Sequence, residues 1–388
     1  MPWKTSETMD LRCKFVLLAK EEGSNFSELC RSFGISRRTG YKWLGRYETG
    51  GMSALSDQSR RPHNNPNATS VEVVIEIVRL RTLKPTWGAK KIKAYMHRNF
   101  ECSVPSRVTI ERILERSGLI QRRKRRRLSK TRVNEKIVIP EKPNDVWTVD
   151  FKGWWQTLDK NRVEPLTIRD EYSKFIIDIK GMPTTRQEPV RQAFKRAFEC
   201  YGLPKYIRSD NGTPFVSPCG LGGLTKLSVW WLKQGVKPNR IKPGSPQENG
   251  GHERMHRDMK LELQKHAGRD LPHQQELFDI WREEFNTERP HEALEMKTPS
   301  DVYQRSHKKY DPQQPEFEYP CTWEVRKVAG NAETNYWNRK IYLSKALVGE
   351  HVGVEKINEN RIKFWFGDYP LLTVDSHQIG QRRIYLTK

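Results

Sequence analysis

The chain has 388 residues, of which 35% are hydrophobic, and its formal net charge is +23. This length predicts two to four domains, each with enough apolar side chains to bury a core. No apolar run approaches the roughly 18 residues of a membrane span, and Met1 to Lys4 lack the apolar start of a signal peptide. We therefore expect a cytoplasmic globular protein without a membrane partner.

The positive charge is concentrated in the first part of the chain. Residues 1–140 hold 30 Lys and Arg against 13 Asp and Glu, a net charge of +17, which leaves +6 for residues 141–388. This asymmetry favours a polyanionic partner, either nucleic acid or an anionic membrane surface. No strongly amphipathic membrane helix supports the second choice, so we expect nucleic acid.

Residues 1–55 carry the pattern of three short helices, at 9–22, 26–33 and 36–47. Gly34 allows a tight turn between the second and third helices, and Ser36 is the expected N-cap of the third. The arrangement predicts a helix-turn-helix domain whose last helix enters the DNA major groove. A three-helix bundle with a solvated basic face is the alternative. The candidate DNA contacts are Arg37, Arg38, Lys42 and Arg46.

A linker rich in Ser, Asn and Pro, residues 56–70, leads to a second helical segment at residues 71–120. Helices are predicted at 71–83, 88–100 and 106–117, and Gly118 follows the last one. The pattern alone leaves DNA binding and simple packing equally open for this segment.

Residues 121–141 form a basic linker. Its first twelve residues, 121–132, contain eight basic side chains and no acidic one, so self-repulsion should keep them extended unless phosphates neutralise them. We expect the linker to follow DNA, with a log–log salt slope of roughly −0.9 per neutralised phosphate. A merely flexible tether is the alternative. The candidate contacts are Arg122, Arg123, Lys124, Arg125, Arg126 and Arg127.

The remaining chain divides into an α/β part and a β part. Residues 142–305 alternate strands at 146–152, 163–170, 174–180 and 205–209 with a helix at 188–201, which predicts an α/β sandwich. After residue 320 short β-prone runs follow one another, the last of them at 382–386. These runs predict a small β-barrel over residues 320–388.

Carboxylates in the α/β part are spaced for metal-dependent phosphodiester chemistry. Asp150 ends a predicted strand, and Asp210 follows another, in a turn with Asn211 and Gly212. Either Glu248 or Glu253 can supply a third acid near the start of a later helix; five residues apart, they cannot share a helix face. Such acids suit two Mg²⁺ ions, which prefer oxygen ligands and together activate a nucleophile and neutralise a phosphate.

The chain resembles the DDE transposases of bacterial insertion sequences, which are related to retroviral integrases and have a ribonuclease-H-like core. Four segments carry the resemblance, in the family's order: Trp147 to Asp150, Ser209 to Phe215, Pro243 to Lys260 and Phe285 to His291. The resemblance implies a multidomain protein with two N-terminal α-helical helix-turn-helix modules, an α/β ribonuclease-H-like core and a C-terminal small β-barrel. In the second module, Arg107, Thr109 and Arg112 are the implied DNA contacts.

The resemblance also implies the catalytic residues. The family pattern Asn-Gly-x-x-Glu-Arg falls on Asn249 to Arg254 and selects Glu253 over Glu248 as the third acid. Asp150 would bridge two Mg²⁺ ions, with Mn²⁺ as a substitute, while Asp210 and Glu253 would each complete one site. Further implied DNA contacts beside the metals are Asn249, His256, Arg257 and Lys260. The last three lie with Glu253 along one predicted stripe of the helix, because they are three, four and seven residues from it. A surface ion pair between Glu253 and Arg257 is the alternative interpretation of this stripe.

The implied function is transposition. The protein would bind the terminal inverted repeats of its mobile element on double-stranded DNA, cleave 3′ ends and join them to target DNA, as a homo-oligomer in the bacterial nucleoid and without a nucleotide cofactor. The alternatives are a domesticated DNA-binding regulator and a nuclease that only hydrolyses.

Two features depart from the integrase pattern. The six cysteines lack zinc-site spacing, so the integrases' zinc module is not expected. Asp210 and Glu253 are 43 positions apart, and the extra residues include Trp230 and Trp231. We expect these two side chains to be buried; stacking on a flipped base is the alternative.

Overall fold

The computed structural model describes residues 8–57, 68–101, 103–120, 137–217, 223–242, 246–313, 316–337 and 339–375. They belong to two compact units, Met1–Ala68 and Thr69–Lys388. The predicted contacts Arg122 to Arg127 lie outside these ranges. Within the ranges, every helix is too short or too polar to cross a membrane.

The first unit is a bundle of three helices, α1 (Thr8–Ala19), α2 (Phe26–Ser32) and α3 (Arg37–Gly50). The predicted cap is present, because Ser36 Oγ accepts the N–H of Thr39 at 3.2 Å. Gly40 allows the helices to approach closely: a Cβ there would lie 2.8 Å from Cys30 Sγ. Trp43 and other apolar side chains form the small core. The three predicted helices are confirmed.

The second unit opens with another three-helix module, α4 (Val71–Leu83), α5 (Ala89–Asn99) and α6 (Arg107–Arg116). The module has its own apolar core around Ile92, Met96 and Ile110. Side-chain contacts join it to the rest of the unit. The ion pairs that do so are Lys84–Glu284, Lys90–Glu292 and Arg98–Asp301.

The central domain is a mixed sheet with helices on both faces. Its elements, in chain order, are β1 (Val146–Phe151), β2 (Trp155–Gln156), β3 (Arg162–Asp170), β4 (Ile176–Met182), α7 (Gln187–Tyr201), β5 (Tyr206–Ser209), α8 (Lys226–Lys233), β6 (Lys237–Arg240), α9 (Gly250–Leu263), α10 (Leu271–Thr287) and α11 (Pro299–Val302). Strand β3 pairs antiparallel with β1, β2 and β4, whereas β5 runs parallel to both β1 and β6.

The two faces of this sheet bury different helices. On one face α7 packs its apolar stripe, including Phe194 and Phe198, against Leu166 and Ile168 of β3. On the other face α9 and α10 pack around Val163. Side chains alternate between faces along β3 because of the strand's two-residue period. The predicted α/β sandwich is therefore present.

Helix α8 links the central domain to the C-terminal domain. Trp230 and Trp231 are buried in the core beneath α7, which confirms their expected packing role. Val229 and Leu232 instead join the apolar core of the C-terminal domain. The insertion between β5 and β6 therefore buries apolar surface of two domains at once.

The C-terminal domain forms open sheets. Its strands are β7 (Glu324–Lys327), β8 (Glu333–Tyr336), β9 (Arg339–Tyr342), β10 (His351–Asn358), β11 (Arg361–Phe366) and β12 (Tyr369–Asp375). Four strands pair in the order β12-β11-β10-β7, and β8 and β9 form a separate hairpin. The predicted closed barrel is not formed by the described residues, because α8 and the hairpin cover the apolar face that closure would bury. The strand predicted at 382–386 lies outside the described ranges.

Candidate active site

Two of the predicted acids lie at the same edge of the sheet. Asp150 is near the carboxyl end of β1, and Asp210 directly follows the parallel strand β5. Thr148 pairs with Arg208, and continuing this register by two residues brings Asp150 beside Asp210. Carboxyl ends of parallel strands meet at one edge, where ligands of α/β sheets bind.

The turn after β5 fixes the position of Asp210. Its Oδ1 accepts the N–H of Gly212 at 3.2 Å, which closes a short Asx turn. Asn211 Nδ2 donates to the carbonyl oxygen of Ile241 at 2.9 Å and ties the turn to the chain beyond β6. The side chain of Asp210 is therefore held by local hydrogen bonds at the end of its strand.

The third predicted acid, Glu253, lies in the first turn of α9, with its side chain exposed. Its competitor Glu248 accepts the N–H of Lys242 at 2.8 Å across the preceding loop. This contact gives Glu248 a role in closing that loop.

The three acids interact electrostatically. Burial raises the pKa of the Asp150 carboxyl to about 7, and the negative charges of Asp210 and Glu253 add to this effect. Within the described ranges, no three His, Cys, Asp or Glu side chains are arranged so that they could hold a metal ion together. A cation bound by fewer of these acids would still stabilise the charged form of Asp150, which burial and the neighbouring negative charges disfavour.

Asn249 adds an unsatisfied oxygen to this site. Its Nδ2 lies 3.5 Å from Asp150 Oδ2, and its Oδ1 is buried without a hydrogen-bond partner in the described structure. A buried amide oxygen normally has a partner, and amide oxygens are acceptable ligands for hard cations. The donor set at the end of β1 therefore fits Mg²⁺ or Mn²⁺. Asn249 itself is buried and faces Asp150.

Beneath Asp150 lies a buried hydrogen-bond network that the sequence analysis missed. Thr167, which pairs with Asp150 across β1 and β3, donates its hydroxyl to the carbonyl oxygen of Asp150 at 3.0 Å. The same hydroxyl lies 2.5 Å from His252 Nε2 and 2.7 Å from His256 Nε2. His252 Nδ1 lies 2.9 Å from Thr148 Oγ1. The sequence did contain a signal for this network: two histidines stand one helical turn apart in a predicted helix, and single threonines interrupt the apolar strands.

Both imidazoles of this network are neutral. Burial lowers the pKa of His256 to about 3, helped by the charges of Lys152 and Arg169. Burial also lowers the pKa of His252 well below its usual value. With hydrogen on Nε2, each ring can donate to Thr167, so the polar groups are satisfied without a buried charge. The network fixes α9 against the strand that carries Asp150.

The predicted stripe required an exposed His256, but the His256 side chain is buried. In α9 the residues His252, Met255, His256 and Met259 face the sheet, whereas Glu253, Arg257 and Lys260 are exposed. The spacing of His256 is compatible with the stripe, but burial decides its face. The rival Glu253–Arg257 ion pair is also not formed, since Arg257 pairs with Asp258 at 3.1 Å.

Comparisons with known families match the helical modules and the central domain. Integrase core domain models match residues 140–246 and 234–299. A helix-turn-helix domain model matches residues 11–63, and a homeodomain-like domain model matches residues 39–114.

Two curated relatives come from bacterial mobile elements. The uncharacterized 31.7 kDa protein of insertion element IS407 from Burkholderia multivorans is 28% identical over 287 residues, which cover 73% of this chain and 92% of that protein. The uncharacterized 39.2 kDa protein of insertion element IS476 from Xanthomonas euvesicatoria is 24% identical over 243 residues, 62% of this chain and 67% of that protein. These matches show that the chain contains helix-turn-helix and integrase core domains and is similar to proteins of bacterial insertion elements.

Solved structures similar to this chain include viral integrases. The catalytic core of HTLV-2 integrase in complex with magnesium, in its trimeric form, is 16% identical, with a TM-score of 0.31, over 42% of this chain and 99% of that one. The intasome of simian T-cell lymphotropic virus in complex with PP2A regulatory subunit B56 gamma is 11% identical, with a TM-score of 0.38, over 77% and 98%.

In the first helix-turn-helix domain, the predicted contacts Arg37, Arg38 and Lys42 are exposed on α3. Lys42 and Arg46 flank the ring of Trp43, with charged groups 4.9 and 5.0 Å from its centroid. The aromatic ring therefore orients cations along the helix predicted to enter the groove.

In the second module the predicted contacts differ in their roles. Arg112 is exposed, and Arg107 is exposed while paired with Glu111 at 2.9 Å. Thr109 instead belongs to the helix cap, because its N–H donates to Ser106 Oγ at 3.2 Å and the two hydroxyls lie 3.0 Å apart. The two arginines are the members of this set that the surface presents to a ligand.

The segment Asn286 to His291, with the pattern Asn-x-x-Arg-Pro-His, has a structural role. Asn286 accepts the N–H of Ile176 at 2.8 Å and donates to its carbonyl oxygen at 2.9 Å, which fixes α10 to β4. Arg289 is buried and pairs with Asp258 and Glu262 of α9. The segment therefore holds α10 and α9 together next to the acids.

Proposed function

We propose that this protein is an active transposase that cleaves the 3′ ends of its element and joins them to target DNA, with Asp150, Asp210 and Glu253 as its catalytic acids. The observation that carries the proposal is the raised pKa of Asp150 beside two further carboxylates at one sheet edge. Structural ion pairs lower the pKa of an acid, whereas clustered unpaired acids signal a cation site.

Each of the three acids has a separate part in this proposal. Asp150, on the central strand, would face both metal positions, while Asp210 and Glu253 would each complete one. Bound Mg²⁺ or Mn²⁺ ions would neutralise the scissile phosphate and activate the attacking oxygen. The neutral imidazoles of His252 and His256 keep the backbone around Asp150 in place without adding a charge.

The other domains would supply the DNA. We assign residues 1–55 and 71–120 as DNA-reading modules, 142–305 as the catalytic core, 320–388 as an accessory β domain, and 56–70 and 121–141 as linkers between them. Exposed cations on α3, α6 and α9 would contact phosphates: Arg37, Arg38, Arg107, Arg112, Arg257 and Lys260. Because two element ends must be joined in one event, we further propose that the protein works as a homo-oligomer on DNA.

The experiment is a joining assay on labelled DNA that carries the repeats flanking the gene, with Mg²⁺ present. We expect wild type and Glu248→Gln to form joined products and Glu253→Gln to form none, since only Glu253 would hold metal. Folding of each variant is checked by its thermal unfolding.

Other outcomes separate the alternatives. Cleaved but unjoined ends in wild type would identify a nuclease that only hydrolyses. Bound and intact DNA in every sample would identify a DNA-binding regulator. If Glu248→Gln abolishes joining and Glu253→Gln retains it, Glu248 rather than Glu253 is the third catalytic acid.

A further inference from the structure

A cavity of about 540 Å³ lies on the side of α9 that faces the second helical module. Its walls come from the start of α5, the first turns of α9, the end of β3 and the segment after α10. Of the DNA contacts proposed above, only Arg257 lines this cavity.

The cavity wall is strongly basic. Six cationic side chains line it, Lys91, Arg169, Lys174, Arg254, Arg257 and Arg289, against two acids, Asp258 and Glu292. The ion-pair partners of these side chains that lie outside the wall change the net charge little. Glu171, Glu262 and Lys90 bring the count to seven cations and four acids, a net charge of +3.

Several donors in this wall lack partners. Arg169 and Arg289 are each only 3% exposed, yet the Nε of each has no hydrogen-bond partner in the described structure, and neither has Nε2 of His291. Buried donors are normally satisfied, so the two unsatisfied guanidinium Nε–H groups of Arg169 and Arg289 indicate a missing acceptor. Lys91 and Arg254 also form no ion pair with the described residues.

The electrostatic state of Lys91 agrees with a missing anion. Burial and the charge of Arg289 together lower the pKa of Lys91 to about 8, although three nearby acids act in the opposite direction. A phosphate oxygen accepts hydrogen bonds from guanidinium and ammonium groups and carries the charge that the wall lacks.

We propose that this cavity binds a phosphate group of the DNA backbone and so places the strand beside the catalytic acids, an inference that rests on the proposed function. DNA is favoured over a free anion because Arg254, in the wall, is adjacent to Glu253, and exposed Arg257 and Lys260 continue the basic surface along α9. The first turn of α9 contributes its positive dipole end.

The position of Lys91 gives the cavity a second consequence. Lys91 belongs to the second module, whereas Arg254 belongs to the catalytic helix. A phosphate held by both would bridge the two domains, which the Lys90–Glu292 ion pair already joins at 2.8 Å. DNA binding would then stabilise the docked arrangement of module and core.

The test measures DNA affinity of the full-length protein against salt concentration for Lys91→Gln and Arg254→Gln. Each variant should lose about tenfold in affinity near 0.1 M salt and up to roughly 0.9 in log–log slope, as for one lost phosphate contact. Lys309→Gln removes the same charge from an exposed position outside the cavity and should change affinity less than about twofold.

A second arm uses inorganic phosphate and thermal unfolding of the same proteins. Stabilisation of wild type by phosphate, with no change of DNA slope in the variants, would assign the cavity to a free anion and overturn the DNA proposal. Unchanged slopes without phosphate stabilisation would overturn any anion site. If wild type binds DNA but joins no ends, the proposed function fails while the slopes still decide the cavity.

Discussion

The two sides of helix α9 carry opposite chemistry. On one side Asn249 and Glu253 lie near Asp150, where burial, together with the charges of Asp210 and Glu253, raises the pKa of that carboxyl to about 7. On the other side Arg254 and Gly251 line a cavity with an excess of cations. The acidic site and the basic cavity therefore lie on different sides of the same first turns of α9.

The contrast shows how one element can serve two steps. The acidic side suits chemistry, because it can hold cations, and the basic side suits positioning, because it can hold a phosphate. Substitutions on the two sides should therefore affect different measurements: reaction rate for the acids and DNA affinity for the cations. The following predictions test this separation, beginning with the largest effect.

Asp150→Asn and Asp210→Asn should each lower the joining rate by roughly 10³-fold or more, because the several kcal/mol that metal ions supply would be lost. DNA affinity should be retained, since neither acid faces the basic cavity. Rates from joining assays and affinities from fluorescence anisotropy check both statements. An equal fall in DNA affinity for the acid variants would abolish the separation between the two sides.

The difference in stability between Asp150→Asn and wild type should depend on pH. In the native state the pKa of Asp150 is about 7, whereas its ordinary value is 3.8. Between these values the folded chain holds a proton that the unfolded chain releases, so wild-type stability falls as pH rises. At pH 8 without metal, the variant should be more stable than wild type by about 2–4 kcal/mol.

The control for this prediction is the same measurement at pH 4, where the difference should nearly vanish. Adding Mg²⁺ at pH 8 should stabilise wild type alone, because only its carboxylate can bind the ion. Denaturant unfolding curves in chelator and in Mg²⁺ provide the data. A variant less stable than wild type at pH 8 would contradict the acidic character of this side.

Thr167→Val should destabilise the protein by about 2–3 kcal/mol, because it leaves the Nε2 groups of His252 and His256 buried without an acceptor. Thr82→Val is the matched control, since the Thr82 hydroxyl is exposed and bonds only within its own helix. Urea unfolding at neutral pH measures both. Equal effects of the two substitutions would mean that the network does not hold α9 in place.

Gly251→Ala should cost about 1–2 kcal/mol and weaken DNA binding, because the new Cβ would overlap the buried Arg169 guanidinium. Gly250→Ala is an unusually close control, since a Cβ at this neighbouring position meets nothing within 4 Å. In the same helix it should be neutral or stabilising. Thermal unfolding and DNA affinity of the pair test whether the basic side depends on Arg169.

The local structure of the helical modules could be predicted from the sequence. Ser36 and Ser106 both begin helices within one residue of the expected start, because an N-cap hydrogen bond involves only residues three apart. The stripe of α7 was also predictable, since a 3.6-residue period places Phe194 and Phe198 on one face.

Closure of the C-terminal sheet could not be predicted in the same way. Strand runs were visible, but whether β7 and β12 meet depends on what else covers the apolar face. Here α8, which lies far away in the sequence, contributes Val229 and Leu232 to that core. Within the described residues, a distant element therefore covers the apolar face that the predicted closure would have buried.

The sequence by itself placed the candidate acids Asp150, Asp210, Glu248 and Glu253 on or beside predicted strands and a helix, because short motifs and periodicity encode these features locally, and the choice of Glu253 came from the family resemblance. Only the tertiary structure decided that His256 is buried, that Thr167 joins two histidines, and that Lys91 meets Arg254 across a cavity. The physical reason is that burial and electrostatic environment depend on residues that lie far apart in the chain and become neighbours only when it folds.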